Sequence, residues 1–540
     1  MPHRSPAGAG RAPGSAGVGR APGSAGAGRA PGSAGAGRAP NAAAHHAVGP
    51  HGRRRPGVPE LAGSGTGTGT RGAAGPLTGR GGAGMELPRP LYLGREFVDR
   101  VARQSPARLA LTVFAAVIAL FTGLLLLPQA TADGTQAPFE DALFTAVSAV
   151  CVTGLTTVDT GTYWSLFGQV VILVGIKVGG LGVMTLASLL GIAVSRRIGL
   201  TQKLLTATET RSAGLGEVGS LLRVVILTST ALEVAIALAL VPRFAIVGED
   251  LGEAVWHGVF YAVSAFNNAG FVPTPEGLDP FVSDWWIGLP IVVGVFIGSL
   301  GFPVILNIAQ RRRDVGRWSL HTKLTVTTSV ALVVVGTVLI AAAEWGNRAT
   351  FGTLDTSGKV LAALFAGVMP RSGGFSTVEI AEMKESTWLI NDALMFVGGG
   401  SASTAGGIKV TTLAVMLLAI VAEARGDRDV EAFGRRIPRE TLRLAVAVVF
   451  VGATAVLLAT LALLEITGLS LDVVLFEVIS AFATVGLSTG ITPDLPAEGK
   501  YVLSALMFVG RTGTITFAAA LALRDRRRVI RYPEERPIIG

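Results

Sequence analysis

The chain has 540 residues, half of them hydrophobic and only 15% charged, with a mean hydropathy of +0.54, a balance beyond that of a soluble globular domain. It reads as a polytopic membrane protein. The net charge of +9 comes from residues 1–84, which carry ten arginines against one acid, Glu60; the remainder holds 36 basic and 36 acidic residues, so nothing in its bulk charge argues for nucleic-acid binding.

Residues 1–84 are low complexity, with GRAPGSAGV at 10–18 followed by GRAPGSAGA at 19–27 and again at 28–36. A stretch this rich in Gly, Ala and Pro cannot bury a core and is expected to be disordered, or to lie upstream of a true start at Met85. It has no apolar signal-peptide region.

After Met85 the apolar stretches follow a regular order. Residues 106–127 are long enough to span a bilayer, 137–150 are not, and 166–195 are again. This long, short, long unit recurs as 219–242, 253–266 and 286–309, as 322–343, 357–369 and 388–424, and as 440–467, 470–483 and 499–524. The corresponding units are 105–215, 216–318, 319–437 and 438–525, with 526–540 as a tail. Ten to fourteen apolar residues suit a helix that enters the membrane and returns.

The short segments align. Each opens on an aromatic residue, Phe144, Phe260, Phe365 or Phe476, and closes on a glycine followed by Leu or Phe: Gly154, Gly270, Gly374 and Gly486. This is an internal repeat of supersecondary units. Any one of these glycines reads as the cap of a buried helix. Four in register read as extended turns whose backbone carbonyls replace an ion's hydration shell, with glycine supplying the positive φ. The candidate ion-binding residues are Cys151, Val152, Thr153 and Gly154; Asn267, Asn268, Ala269 and Gly270; Arg371, Ser372, Gly373 and Gly374; and Ala483, Thr484, Val485 and Gly486.

Basic clusters follow the second long segment of each unit: Arg196, Arg197 and Lys203; Arg311–Arg313 and Arg317; Arg435, Arg436 and Arg439; Arg524 and Arg526–Arg528. The loops before the short segments are acidic or neutral, so the positive-inside rule puts both termini in the cytoplasm and the re-entrant segments on the outside.

The second long segment of the third unit is interrupted by Gly398, Gly399, Gly400, Ser401, Ala402, Ser403, Thr404, Ala405, Gly406 and Gly407, with Lys409 close behind. Coil at membrane depth must face protein or water, because its unpaired amides and carbonyls each cost several kcal/mol in lipid. It is either a passive kink or a mobile gate. Arg511 sits near the middle of the last helix, where a cation is costly unless it pairs, meets water or snorkels to the boundary, and so marks a functional site. Asn267 and Asn268 either orient the second turn or cap its helix. Arg371 and Glu477 are candidates to brace neighbouring short helices as a pair, with a solvated or structural role as the alternative.

An enzyme is poorly supported. Cys151 is the sole cysteine, which excludes a disulfide within the chain and a CxxC metal site, and only His257 and His321 lie beyond the tail. An intramembrane enzyme needs clustered titratable groups, and the spans offer little beyond Glu477 and Glu233. A GxxxxGK[ST] loop is absent.

Over roughly 105–525 the chain resembles the Trk/Ktr/HKT superfamily of potassium transporters. The resemblance rests on VTGL at 152–155, NNAGF at 267–271, SGGF at 372–375 and TVGL at 484–487, with GGLG at 179–182. Without an extra pair of spans before residue 105, it is nearest to the shorter Ktr-type membrane subunit. The resemblance implies an all-α membrane protein of four tandem helix, re-entrant pore helix, helix units in pseudo-fourfold arrangement around one ion pore. It implies potassium as the transported ion when all four filter positions are glycine, sodium-type variants carrying serine at the first. It implies that 398–407 is a gate and that Arg511 points into the pore below the filter. Lys177 stands where such proteins commonly have an uncharged residue such as glutamine. The implied setting is the cell membrane, and the implied partners are a homodimer mate and a cytosolic ring of nucleotide-binding, RCK-type regulatory subunits, which alone would hold the nucleotide. Sodium stimulation stays open, and a sodium-coupled or non-selective cation transporter is the alternative.

Overall fold

The computed structural model describes the backbone of residues 106–182 and 215–523, with Pro533 and Glu535, and side chains over 111–182 and 223–513. The expectations for residues 1–84, for Arg196, Arg197 and Lys203, and for Arg524 and Arg526–Arg528 lie outside the described residues.

The described residues are helical almost throughout. The first unit comprises α1 (Pro106–Leu125), α2 (Phe139–Cys151) and α3, described over Leu166–Gly182. The second comprises α4 (Leu215–Val247), α5 (Leu251–Asn267), α6 (Trp285–Leu300) and α7 (Phe302–Arg311). In the third, α8 (Leu320–Glu344) and α9 (Thr356–Val368) precede α10 (Glu385–Phe396) and α11 (Val410–Arg425). A two-stranded hairpin, β1 (Val430–Ala432) and β2 (Arg435–Ile437), leads to α12 (Arg439–Thr467), α13 (Leu471–Ala483) and α14 (Ala497–Leu523).

Length decides the role of each helix. Arg223–Val247, Leu320–Glu344 and Arg439–Thr467 are long and apolar enough to cross a membrane. The short helices α2, α5, α9 and α13 have 13 to 17 residues, or about 20–26 Å at 1.5 Å per residue, less than the roughly 30 Å of hydrocarbon. Local chemistry fixes several of their starts. The Asp355 carboxylate accepts from the Gly358 amide at 2.9 Å and so caps α9; Asp284 does the same for Trp286 at 2.9 Å at the start of α6. The aromatic residue that opens each repeat is a core anchor, for Phe144, Phe260, Phe365 and Phe476 are all buried.

Each short helix packs against the first long helix of its own unit and the second long helix of the unit before it. Thus α9 lies on α8 and α6, and α13 on α12 and α10. The α5 indole of Trp256 donates to Gln169 Oε1 on α3 at 2.8 Å. The first short helix, α2, lies on α1 and on α14, the last of the described helices. The Lys500 ammonium of α14 meets Asp141 of α2 at 2.8 Å, a buried pair spanning 359 positions of sequence that ties the last unit to the first.

One expectation is corrected. The apolar run 286–309 was expected to be a single span, but α6 and α7 meet at 98° at Gly301. Gly301 has φ +91°, and a Cβ there would lie 2.6 Å from the Ser401 carbonyl oxygen; the Phe302 amide donates to the Ala402 carbonyl at 3.2 Å, and Pro303 opens α7. The chain turns because the broken segment of the third unit crosses there.

Candidate ion filter and the loop beneath it

Three of the short helices end alike. Val152, Asn268 and Thr484 adopt left-handed backbone angles directly after the last helical residue, and the amide after each donates back to the carbonyl of Ser148, Ser264 or Ser480 at 2.8–2.9 Å. The hydroxyls of those serines then hold the extended turn. Ser148 Oγ accepts from the Gly154 amide at 3.0 Å, Ser480 Oγ accepts from the Gly486 amide at 3.1 Å, and Ser264 Oγ donates to the Phe271 carbonyl at 2.9 Å. These serines were not singled out from the sequence, although each stands four residues after the aromatic start.

The third turn is built differently. Pro370 follows the end of α9 at Val368, and Val368 occupies the place of the missing serine, six residues before the glycine. The left-handed residue is nevertheless in register: Ser372, two before Gly374, has φ +80°, as Val152, Asn268 and Thr484 have +57°, +60° and +49°. Ser372 Oγ donates to the Thr484 carbonyl at 2.9 Å, so the third turn leans on the fourth.

The four glycines approach one another in a closed cycle. A Cβ on Gly154 would overlap the Ala269 carbonyl and lie 3.0 Å from Gly270 Cα. One on Gly270 would lie 2.9 Å from Gly374 Cα, and one on Gly374 would overlap the Val485 carbonyl and lie 3.3 Å from Gly486 Cα. One on Gly486 would overlap the Thr153 carbonyl and lie 3.1 Å from Gly154 Cα. With positive φ of 71–99° at all four, a side chain is excluded by conformation and by space. The C-terminal ends of four helices run into this cycle, and their partial negative charge favours a cation there.

A second set of glycines supports the filter from behind. A Cβ on Gly179, Gly298 or Gly510 would strike the carbonyl of Val150, Phe266 or Phe482, each four residues before a filter glycine. Arg511 follows Gly510 at the position that holds Gly180 and Ser299 in the first two units.

The segment 398–407 lies directly under these turns. Gly398 and Val410 amides bond to the Ile408 and Gly399 carbonyls at 2.8 and 3.0 Å, so the loop closes on itself. The Gly400 amide reaches the Ser299 carbonyl at 2.7 Å, and Ser403 Oγ donates to the Gly400 carbonyl at 2.6 Å. Upward, Thr404 Oγ1 donates to Asn268 Oδ1 at 2.8 Å, and the Gly406 amide donates to Ser372 Oγ at 3.3 Å. Lys409 Nζ donates to the Ala405 carbonyl at 2.6 Å and to the Gly406 carbonyl at 3.2 Å. Arg511, only 1% exposed, donates from one terminal nitrogen to the Thr404 carbonyl, while its Nε and other terminal nitrogen have no hydrogen-bond partner among the described residues. That burial rules out snorkelling.

The remaining charged residues resolve separately. Arg371 does not meet Glu477: its guanidinium donates to the Ser329 carbonyl at 2.9 Å and to Ser329 Oγ at 3.1 Å on α8, and Glu477 takes the hydroxyl of Thr492. The expected brace between short helices is therefore corrected. Each group finds a nearer partner within its own unit. Asn268 both ends its helix in the left-handed conformation and bonds by its amide to the Val295 carbonyl at 3.2 Å, so capping and orientation are combined. Lys177 pairs with Glu233.

The family model described as a cation transport protein, TrkH, matches residues 110–527. The chain belongs to this family. Among relatives of the TrkH family member described here, the Ktr system potassium uptake protein B of Bacillus subtilis is 36% identical over 454 residues, covering 83% of this chain and all of that protein. The potassium/sodium uptake protein NtpJ of Enterococcus hirae is 32% identical over 448 residues, 81% of this chain and 98% of that one. The crystal structure of the potassium transporter TrkH from Vibrio parahaemolyticus superposes with a TM-score of 0.59 over 76% of this chain and 84% of that chain, at 18% identity, which speaks to the fold. The resemblance read from the four filter motifs is thus established at the level of family, including its Ktr-type character.

Proposed function

We propose that this chain carries potassium inward across the cell membrane through one pore, with its four units arranged in pseudo-fourfold fashion around the glycine turns. The observation that carries the reading is the closed cycle of Gly154, Gly270, Gly374 and Gly486, at which backbone carbonyls from four turns converge. Carbonyls at 151–154, 267–270, 371–374 and 483–486 replace the hydration shell of the ion, and the four helix ends add partial negative charge. Because the membrane potential contributes about 2.3 kcal/mol per charge per 100 mV, inward flow of a cation needs no hydrolysis by this chain.

Below the filter, segment 398–407 acts as the gate. Its support is the tethering of Thr404 to Asn268 and to Arg511, which joins the loop both to the turn at Gly270 and to a buried cation. By family likeness, a cytosolic ring of nucleotide-binding RCK-type subunits controls this gate and the membrane subunit pairs as a homodimer with both termini in the cytoplasm.

A second reading, transport of sodium with or in place of potassium, draws on the name of the Enterococcus hirae relative. Four filter glycines favour potassium. Gly270→Ser tests the filter: in liposomes it should lower the potassium-to-sodium permeability ratio while the protein still folds, and an unchanged ratio in folded protein would remove the second turn from the filter.

A further inference from the structure

An ion pair on two long helices lies behind the turn that ends at Gly270. Lys177 on α3 places Nζ 2.6 Å from both carboxylate oxygens of Glu233 on α4, and 3.1 Å from Ser229 Oγ. Glu233 Oε1 accepts in turn from Asn267 Nδ2 at 2.8 Å. Asn267 is the last residue of α5, three before Gly270, and its amide also donates to the Val263 carbonyl at 2.8 Å. The helix α3 closes on the same side chain, since a Cβ on Gly180 would overlap Asn267 Oδ1. A continuous chain of contacts therefore runs from Lys177 through Glu233 to the filter.

Stability does not explain such a pair. Desolvating two charges costs as much as their attraction returns, and apolar side chains of similar volume commonly do as well or better. Glu233 is nonetheless 5% exposed and Asn267 1%, while Lys177 keeps 24% of its side chain exposed. The comparison among units is informative. Three residues before the filter glycine stand Cys151, Asn267, Arg371 and Ala483. The two polar ones are both tied to the first long helix of their own unit, Asn267 to Glu233 on α4 and Arg371 to Ser329 on α8. What distinguishes the second turn is that its partner on the long helix is an acid, Glu233, itself paired with Lys177.

We propose that Lys177 and Glu233 are positioning residues of the filter: the pair fixes Asn267, and through it the turn ending at Gly270, and so sets how strictly that turn distinguishes potassium from sodium. The inference rests on the reading of the Gly270 turn as part of the filter. The buried carboxylate is a hydrogen-bond acceptor of fixed direction, and the lysine, bonded to both of its oxygens, holds it in place.

Two double variants of the full chain test it without leaving an unpaired charge in the membrane. K177M/E233Q keeps an acceptor for Asn267, whereas K177M/E233L removes it at similar volume. The measurement is the potassium-to-sodium permeability ratio, from reversal potentials of the purified protein in liposomes. K177M/E233L should lower the ratio roughly fivefold or more, the lower end of ordinary coupling between sites, with K177M/E233Q close to the unsubstituted protein. Equal ratios in the two doubles would overturn the proposal. K177M alone should lower the ratio, with K177R restoring it, and an unchanged ratio in K177M would remove Lys177 from the role. G270S in the same assay separates the failures. If G270S leaves the ratio unchanged, the filter reading itself fails; if G270S shifts it and the doubles agree with each other, only the role of the pair fails.

Discussion

Arg511 donates to the main-chain carbonyl of Thr404, and the hydroxyl of the same threonine donates to Asn268 in the second filter turn. One residue of the broken helix thus touches both the fixed cation of the last helix and the filter. An arginine this deeply buried, with two of its nitrogens unpartnered among the described residues, is held by the loop; on the proposed reading its charge stands as a barrier to cations below the filter.

Removing that charge should open the path. At an effective dielectric constant of about 20, a unit charge about 4 Å from an ion contributes on the order of 4 kcal/mol, and screening by water in a pore leaves a fraction of it. Arg511→Gln is therefore expected to raise potassium flux on the order of tenfold in liposomes. Flux equal to that of the unsubstituted protein would show that Arg511 is no barrier.

The serines behind the turns make a subtler prediction. Ser480 Oγ accepts from the Gly486 amide at 3.1 Å, and a typical hydrogen bond contributes about 1 kcal/mol net. Ser480→Ala should loosen the fourth turn and lower the potassium-to-sodium ratio by up to about fivefold, with little change in thermal stability. A large loss of stability with the ratio unchanged would make the serine a packing residue only.

The pair between Asp141 and Lys500 should behave in the opposite way. Both are buried, and together they tie the first short helix to the last long one. Breaking a buried pair by removing one partner costs about 3–5 kcal/mol, whereas replacing both by apolar residues is often neutral. Asp141→Asn should therefore lower the melting temperature in detergent, and D141L/K500M should recover most of it. Equal stability of the single and double variants would show that the two residues are not coupled across this contact.

The parts of this arrangement that repeat were legible before the structure. Phe144, Phe260, Phe365 and Phe476 with their glycines mark the short helices because each unit needs the same core anchor and the same turn. The interruption at 398–407 and the charge at Arg511 were legible because both violate what lipid tolerates. The bend at Gly301 was not, since Leu300-Gly-Phe-Pro303 sits in an unbroken apolar run and its cause is the Ser401–Ala402 backbone a hundred residues downstream. Nor were the partners of Lys177 and Arg371, which lie 56 and 42 residues away and are chosen by packing. The serine at 148, 264 and 480 was legible in principle, six residues before each glycine, and its replacement by Val368 in the third unit marks the turn that is built differently.

Selectivity tests the central claim most directly. Purified protein in liposomes under opposing potassium and sodium gradients should give a reversal potential close to that expected for potassium, with rubidium replacing potassium and lithium replacing sodium. A reversal potential near zero with equal concentrations of the two ions on opposite sides would mean that the four glycine turns do not form a potassium filter.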